Sequence, residues 1–134
     1  MASDRGNVMP SHYENYIGDL LQKAHIYYQK EVSYTDLRGG RFRYDFKTPF
    51  GLIEVNGQQH YYEVFGGRSG LLKQQEHDRR KISYALANHI PLYIIPFWDI
   101  YSLTDAHELF KDKYLAKSRW HNDEVWRAHQ SSVE

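Results

Sequence analysis

Asp45 and Glu54 flank a short turn in the stretch Phe42-Arg-Tyr-Asp-Phe-Lys-Thr-Pro-Phe-Gly-Leu-Ile-Glu-Val-Asn56. With Thr48-Pro-Phe-Gly51 as the loop of a hairpin, Lys47 faces Leu52, Phe46 faces Ile53, and Asp45 faces Glu54. Directly opposed residues on antiparallel strands hold their Cβ atoms roughly 4.5–5.5 Å apart, and like charges there repel. Alternation puts Phe42, Tyr44 and Phe46 on one face with Ile53 and Val55, and Arg43, Asp45, Glu54 and Asn56 on the other. Acids gathered on one face suit a divalent metal ion. The same pair also fits a solvated sheet face neutralised by Arg43 and Lys47.

Other residues carry chemistry of their own. His60, in Gly57-Gln-Gln-His60, and His77 are candidates for general base or acid, because an unperturbed imidazole titrates near neutrality. Each also reads as an ordinary surface or packing histidine. Asp78 falls on the apolar stripe of a helix, where a carboxylate is costly unless paired or metal-bound; an arginine partner would satisfy it equally well. Glu14 follows Ser11 by three residues, the spacing of a capping box. Trp98, Trp120 and the tyrosines after His60 suit a core as well as a stacking surface.

The elements that must position these groups follow from periodicity. A helix opens at Pro10-Ser11, with Tyr13, Tyr16, Ile17, Leu20, Leu21 and Ala24 at helical spacing. Ile26–Tyr34 reads as a strand ending in a turn over 35–40, and the hairpin 41–56 follows. The stretch 57–70 is a loop, and 71–89 is a long helix whose inward stripe runs Leu71, Gln75, Asp78, Ile82, Ala85, Leu86 and His89. The proline-bounded run 91–96 is a buried strand. Thr104 caps a last helix to about Leu115. The expected architecture is α/β, or α+β: an αβββαβ core with a mixed sheet flanked by helices. Residues 1–10 form a tail, 11–116 a single domain, and 117–134 a C-terminal extension bearing Trp120 and Trp126.

Composition bounds the rest. A chain of 134 residues is large enough to bury about two-thirds of its unfolded surface. The absence of Cys excludes disulfides, thiolate zinc sites and a thiol nucleophile, and fits a reducing compartment. No apolar run approaches the ~20 residues of a membrane span, and the first ten residues carry no hydrophobic signal region. Basic and acidic residues balance at 17 each, so any nucleic-acid surface must be local. Arg38, Arg41 and Arg43 cluster at the first turn, and Arg79, Arg80 and Lys81 run together on the long helix.

This element order, with Tyr44-Asp45-Phe46, Leu52-Ile-Glu-Val-Asn-Gly-Gln-Gln-His-Tyr61, Gln75-Glu-His-Asp-Arg-Arg-Lys-Ile-Ser83 and Leu92-Tyr-Ile-Ile-Pro96, resembles the PD-(D/E)xK nuclease superfamily. It is most similar to the branch of very short patch repair (Vsr-like) and EDxHD homing endonucleases, small enzymes often carried by phages. The resemblance spans roughly residues 11–97. Where the superfamily has a lysine two positions after the third-strand acid, this chain has Asn56. Two substitutes are open: Lys81, on the helix face near Asp78, or a His/Asp pair, with the EDxHD pattern laid on Glu14, Asp45, His77 and Asp78.

The resemblance implies a restriction-endonuclease-like core and a Mg²⁺- or Mn²⁺-dependent endodeoxyribonuclease that nicks or cuts double-stranded DNA. Asp45, Glu54 and the Val55 carbonyl would hold the metal. His60, His77, Asp78, Glu14, Gln59 and Lys81 would serve catalysis, with Asn56 or Gln59 orienting water. Arg38, Arg41, Arg43, Arg79 and Arg80 would contact DNA. A chain this small would take its specificity from its loops, a homodimer or a partner protein. Its expected setting is the cytoplasm of a bacterium or phage-infected cell, with no membrane association. The rival reading is an inactive nuclease-fold accessory that binds DNA or protein, as in recombination or anti-restriction.

Overall fold

The computed structural model describes residues 10–64 and 66–133, without the side chains of Pro10 and Ser11. Of the expected tail over 1–10, residues Met1–Met9 lie outside the described residues, as does the Ser11 half of the capping box, while Pro10 already belongs to the first helix. Helix α1 spans Pro10–Lys23, β1 Gln29–Ser33, β2 Arg43–Thr48, β3 Gly51–Asn56, α2 Gly67–Ala87 and β4 Leu92–Pro96. The αβββαβ order is therefore as expected. The strands lie side by side in the order β1-β2-β3-β4. Adjacent pairs are antiparallel except β3–β4, which the α2 crossover makes parallel.

Two apolar layers sandwich the sheet. Tyr13, Ile17, Leu20 and Leu21 of α1 are buried at helical spacing against Phe46, Ile53, Val55 and Ile95. On the opposite face Ile82 and Ala85 of α2 pack on Tyr44, Leu52, Leu92 and Ile94. A fully buried Leu or Ile in such a layer contributes about 1.5–3 kcal/mol. These layers fix α1 and α2 across the sheet, and with them every side chain that projects from the helices toward β2 and β3.

Both long helices end alike. His25 and His89 adopt left-handed backbone, with φ of 57° and 56°. The next residue in each case, Ile26 or Ile90, donates its amide back five residues, to the Leu21 or Ala85 carbonyl at 3.0 and 2.9 Å. These are Schellman-type closures in which a left-handed residue turns the chain and the following apolar one folds back. They correct the expected α2 stripe: His89 leaves the helix and is exposed, as is Leu86 at 36%. The α2 helix also starts four residues before Leu71, at Gly67, and the first strand is trimmed at both ends relative to Ile26–Tyr34.

The hairpin turn is as read. Phe46 pairs with Ile53, Lys47 with Leu52 and Thr48 with Gly51. The Thr48 hydroxyl accepts the Phe50 amide at 3.1 Å and donates to the Gly51 carbonyl at 2.9 Å, tying the loop shut. Gly51 sits at φ 140°, where a Cβ would stand 2.7 Å from the Pro91 carbonyl, so only glycine lets β4 come alongside.

Beyond that turn the simple alternation fails. Phe46 lies in the α1 layer, while Tyr44 and Phe42 lie in the α2 layer; the Tyr44 hydroxyl donates to the Lys81 carbonyl at 2.7 Å. Strand β2 thus changes face at Asp45. Opposite this point Glu31 breaks the β1 ladder with φ 55°. The expected grouping of Phe42, Tyr44 and Phe46 on one face is corrected accordingly.

The C-terminal third also departs from expectation. After the short helix α3 (Phe97–Ile100) come two 3₁₀ turns, Ala106–Phe110 and Asp112–Tyr114, in place of one helix to Leu115. Asp105, not Thr104, caps the first turn, in a reciprocal box with Glu108. Helix α4 spans His121–Ser132 and packs Trp126 on Tyr61, with centroids 5.3 Å apart and planes at 24°. Among the described residues no helix is long and apolar enough to cross a membrane.

Candidate active site

The change of face at Asp45 creates the site. The β2–β3 ladder pairs residues only as far as Phe46 and Ile53. Past that point two carboxylates replace carbonyls as acceptors. Glu54 Oε1 accepts the Asp45 amide at 3.0 Å, and Asp45 Oδ2 accepts the Val55 amide at 2.7 Å. Asp45 and Glu54 therefore meet as expected, but through each other's strand rather than as a regular opposed pair. Val55 touches Asp45 through its N–H.

Charge accumulates here. Glu54 is 6% exposed on β3, and its Oε2 forms an ion pair with Lys81 Nζ of α2. From α1, the Glu14 carboxyl lies close to that of Asp45. Burial, then the charges of Glu54 and Glu14, push the Asp45 carboxyl well above the usual range. Burial likewise raises Glu14, tempered by nearby Lys30. Burial pulls the Lys81 ammonium down, but Glu54, Asp45 and Asp78 outweigh it and hold the ammonium above its ordinary value. Lys81 also lies over the Tyr44 ring, 5.2 Å from its centroid.

A second polar pair flanks the first. Asp78, 5% exposed on α2, accepts from Gln74 Nε2 at 3.0 Å and meets His60 Nδ1 at 2.8 Å. In the tautomer with Nδ1 donating to the Asp78 carboxylate, Nε2 of a neutral His60 imidazole is the acceptor nitrogen. His60 stands on the 3₁₀ turn Gln58–His60 that follows β3 directly. Asp78, Lys81, Glu54 and Asn56 line one small cavity, so the two pairs adjoin. Asn56 itself is 1% exposed, and its amide donates to the Tyr61 hydroxyl at 3.2 Å.

Several expected residues lie elsewhere. The His77 ring packs on Phe42 with centroids 4.7 Å apart, and His60 is the histidine that meets Asp78. The reason is angular: His77 precedes Asp78 on a helix, so its side chain points about 100° away. Gln59 folds over Gly57, whose Cβ position is 2.8 Å from Gln59 Oε1. The arginines are tied locally: Arg79 to Asp123 at 3.2 Å and over Trp120, Arg80 to Glu76, Arg43 to Glu31, and Arg38 over Phe42. Arg41 is exposed. Arg38, Arg79 and Arg80 nevertheless share one open groove of about 600 Å³ with Arg119, which the sequence reading did not include.

Sequence reading also missed Asn122, which lines the cavities on both sides of Asp78, and Tyr61, which holds Asn56. Neither carried a signal, because both act through contacts between α4, the 3₁₀ turn and the end of β3. Among the described residues no three His, Asp or Glu side chains converge at metal-ligand distance. Among the described residues Lys81 forms the ion pair with Glu54, Lys30 lies near Glu14, and the carboxyls of Asp45 and Glu14 are both raised. No protein-family model, curated protein or solved structure matches this chain.

Proposed function

We propose that this protein is a metal-dependent endonuclease that hydrolyses phosphodiester bonds of double-stranded DNA, on a PD-(D/E)xK-like core. The single observation that carries the reading is the ion pair between Lys81 and Glu54, beside Asp45 and Glu14. The strand position that would bear a lysine holds Asn56, and a lysine arrives at the same acid from α2 instead.

The residues divide the work. Asp45 and Glu54 would hold Mg²⁺ or Mn²⁺, with Glu14 adding negative charge beside Asp45, and the metal would supply Lewis-acid relief of phosphate charge. Lys81 remains an ammonium across the neutral range and can balance charge developing on the phosphate. Asp78 fixes the His60 tautomer, and Nε2 of His60 can take a proton from an attacking water. Tyr61 fixes the Asn56 carboxamide, which can orient that water by hydrogen bonding. The groove lined by Arg38, Arg79, Arg80 and Arg119, with Asp36 and Glu76 also in its wall, would offer a phosphate backbone a net positive lining.

One observation favours the rival, an inactive accessory of the same fold: Asp45 and Glu54 already serve as acceptors for backbone amides. Relaxation of supercoiled plasmid with and without Mg²⁺ separates the two. Metal-dependent nicking or linearisation supports the enzyme, and DNA binding without any cleavage supports the accessory.

A further inference from the structure

Asn122, near the start of α4, presents a buried side-chain oxygen that has no hydrogen-bond partner among the described residues. Leaving a buried acceptor unpaired is costly, and natural proteins usually satisfy such an atom with protein or ordered water. Asn122 and Asp78 together line two cavities, one on either side. The inner one, of about 10 Å³, is bounded by Glu54, Asn56, Asp78, Lys81, Asn122 and apolar residues. The outer one, of about 20 Å³, reaches His60 and Arg79. A single water needs roughly 10–15 Å³ of such space and two to four polar partners. The inner cavity supplies the polar partners and stands at the lower bound of that space.

We infer that Asn122 Oδ1 holds a resident buried water that joins the Lys81–Glu54 pair to the Asp78–His60 pair. The hydrogen-bond inventory balances. The Lys81 ammonium has donors to spare beyond Glu54, and Asn56 has a second amide hydrogen after Tyr61. The water accepts from one of these donors and donates to Asn122 Oδ1 and to the Asp78 carboxylate. Asn122 is then a positioning residue: α4 holds in place, through one water, the two groups that the proposed reaction uses. Contacts from both ends of the site anchor α4. Asp123 pairs with Arg79, and Trp126 stacks on Tyr61.

The water itself is tested without reference to DNA. In the isotopically labelled full chain, the Asn122 side-chain amide should show a direct cross-relaxation peak to a long-lived water, and Asn122→Leu should abolish the corresponding water peaks at neighbouring Asn56. The positioning role rests on the nuclease reading and uses single-turnover cleavage. Asn122→Leu should slow it about tenfold, the worth of one lost hydrogen bond. Asn122→Ser, which keeps an acceptor and room for water, should stay within about threefold, and DNA affinity should not change in either variant. A native protein with no long-lived water at Asn122 overturns the inference. Equal slowing in the Leu and Ser variants overturns the positioning role. If the native chain cleaves nothing, the nuclease reading falls while the relaxation result still decides the water.

Discussion

Lys81 of α2 reaches down onto the sheet face to the carboxylate of Glu54 on the inner strand β3, and both side chains are largely buried at 14% and 8% exposure. Removing one member of a buried pair strands the other charge, at a cost of about 3–5 kcal/mol. Lys81→Met should therefore lower stability by about 3 kcal/mol at neutral pH, and the double variant with Glu54→Gln should recover most of that loss. Chemical denaturation of the three proteins measures it. A Lys81→Met variant as stable as the native chain would show that the pair contributes little.

Asp45 ties stability to pH. A carboxyl whose folded-state value is raised binds its proton more tightly when folded. Its contribution is then full below the ordinary carboxylate range near 4 and declines as pH rises toward the folded value. The metal-free protein should lose stability as pH climbs from about 4, and Asp45→Asn should lose less. An Asn oxygen can still accept the Val55 amide. Thermal melts at several pH values test this, and parallel curves for the two proteins would refute it.

The same acids predict the response to metal. Millimolar Mg²⁺ or Mn²⁺ should raise the melting temperature of the native protein, because a ligand bound only by the folded state stabilises it, by about 2.7 kcal/mol at a hundredfold excess over Kd. Asp45→Asn should respond weakly. Glu14→Gln should keep its fold, since Gln is isosteric and relieves the charge crowding beside Asp45, yet lose metal response and cleavage together. Normal activity in Glu14→Gln would return that residue to a purely structural part in α1.

The two histidines separate cleanly. His60→Ala removes a partner of buried Asp78 and the proposed base, so it should slow cleavage by roughly 10²–10⁴-fold. His77→Ala loses a packing contact with Phe42 and should leave the rate nearly unchanged. Slow cleavage in His77→Ala with normal His60→Ala would invert the assignment.

What was legible in the chain depended on how local its cause was. The hairpin register could be read because Thr48, Pro49 and Gly51 fix the turn and apolar alternation fixes the strands beside it. The face change at Asp45 could not, because it goes with Glu31 on β1 and with a tyrosine that turns to the Lys81 carbonyl of α2, both distant in sequence. Likewise Asp78 read correctly as an inward carboxylate needing a partner, but the EDxHD resemblance set its neighbour His77 beside it, whereas the structure supplies His60, 18 residues away. His25 and His89 end their helices in left-handed backbone where glycine is usual, and in the sequence only Pro91, two residues beyond His89, marked a stop. The place of α4 over the site was illegible, since Asn122 and Trp126 act through contacts with distant residues.

Cleavage of supercoiled plasmid by the native protein, Asp45→Asn and Lys81→Met, each with Mg²⁺ and with chelator, tests the central claim most directly. The account predicts Mg²⁺-dependent nicking or linearisation by the native chain, none in chelator, and a loss of at least about a hundredfold in each variant. Native protein that leaves the plasmid supercoiled in Mg²⁺ and Mn²⁺, or a Lys81→Met variant that cuts at the native rate, would contradict it.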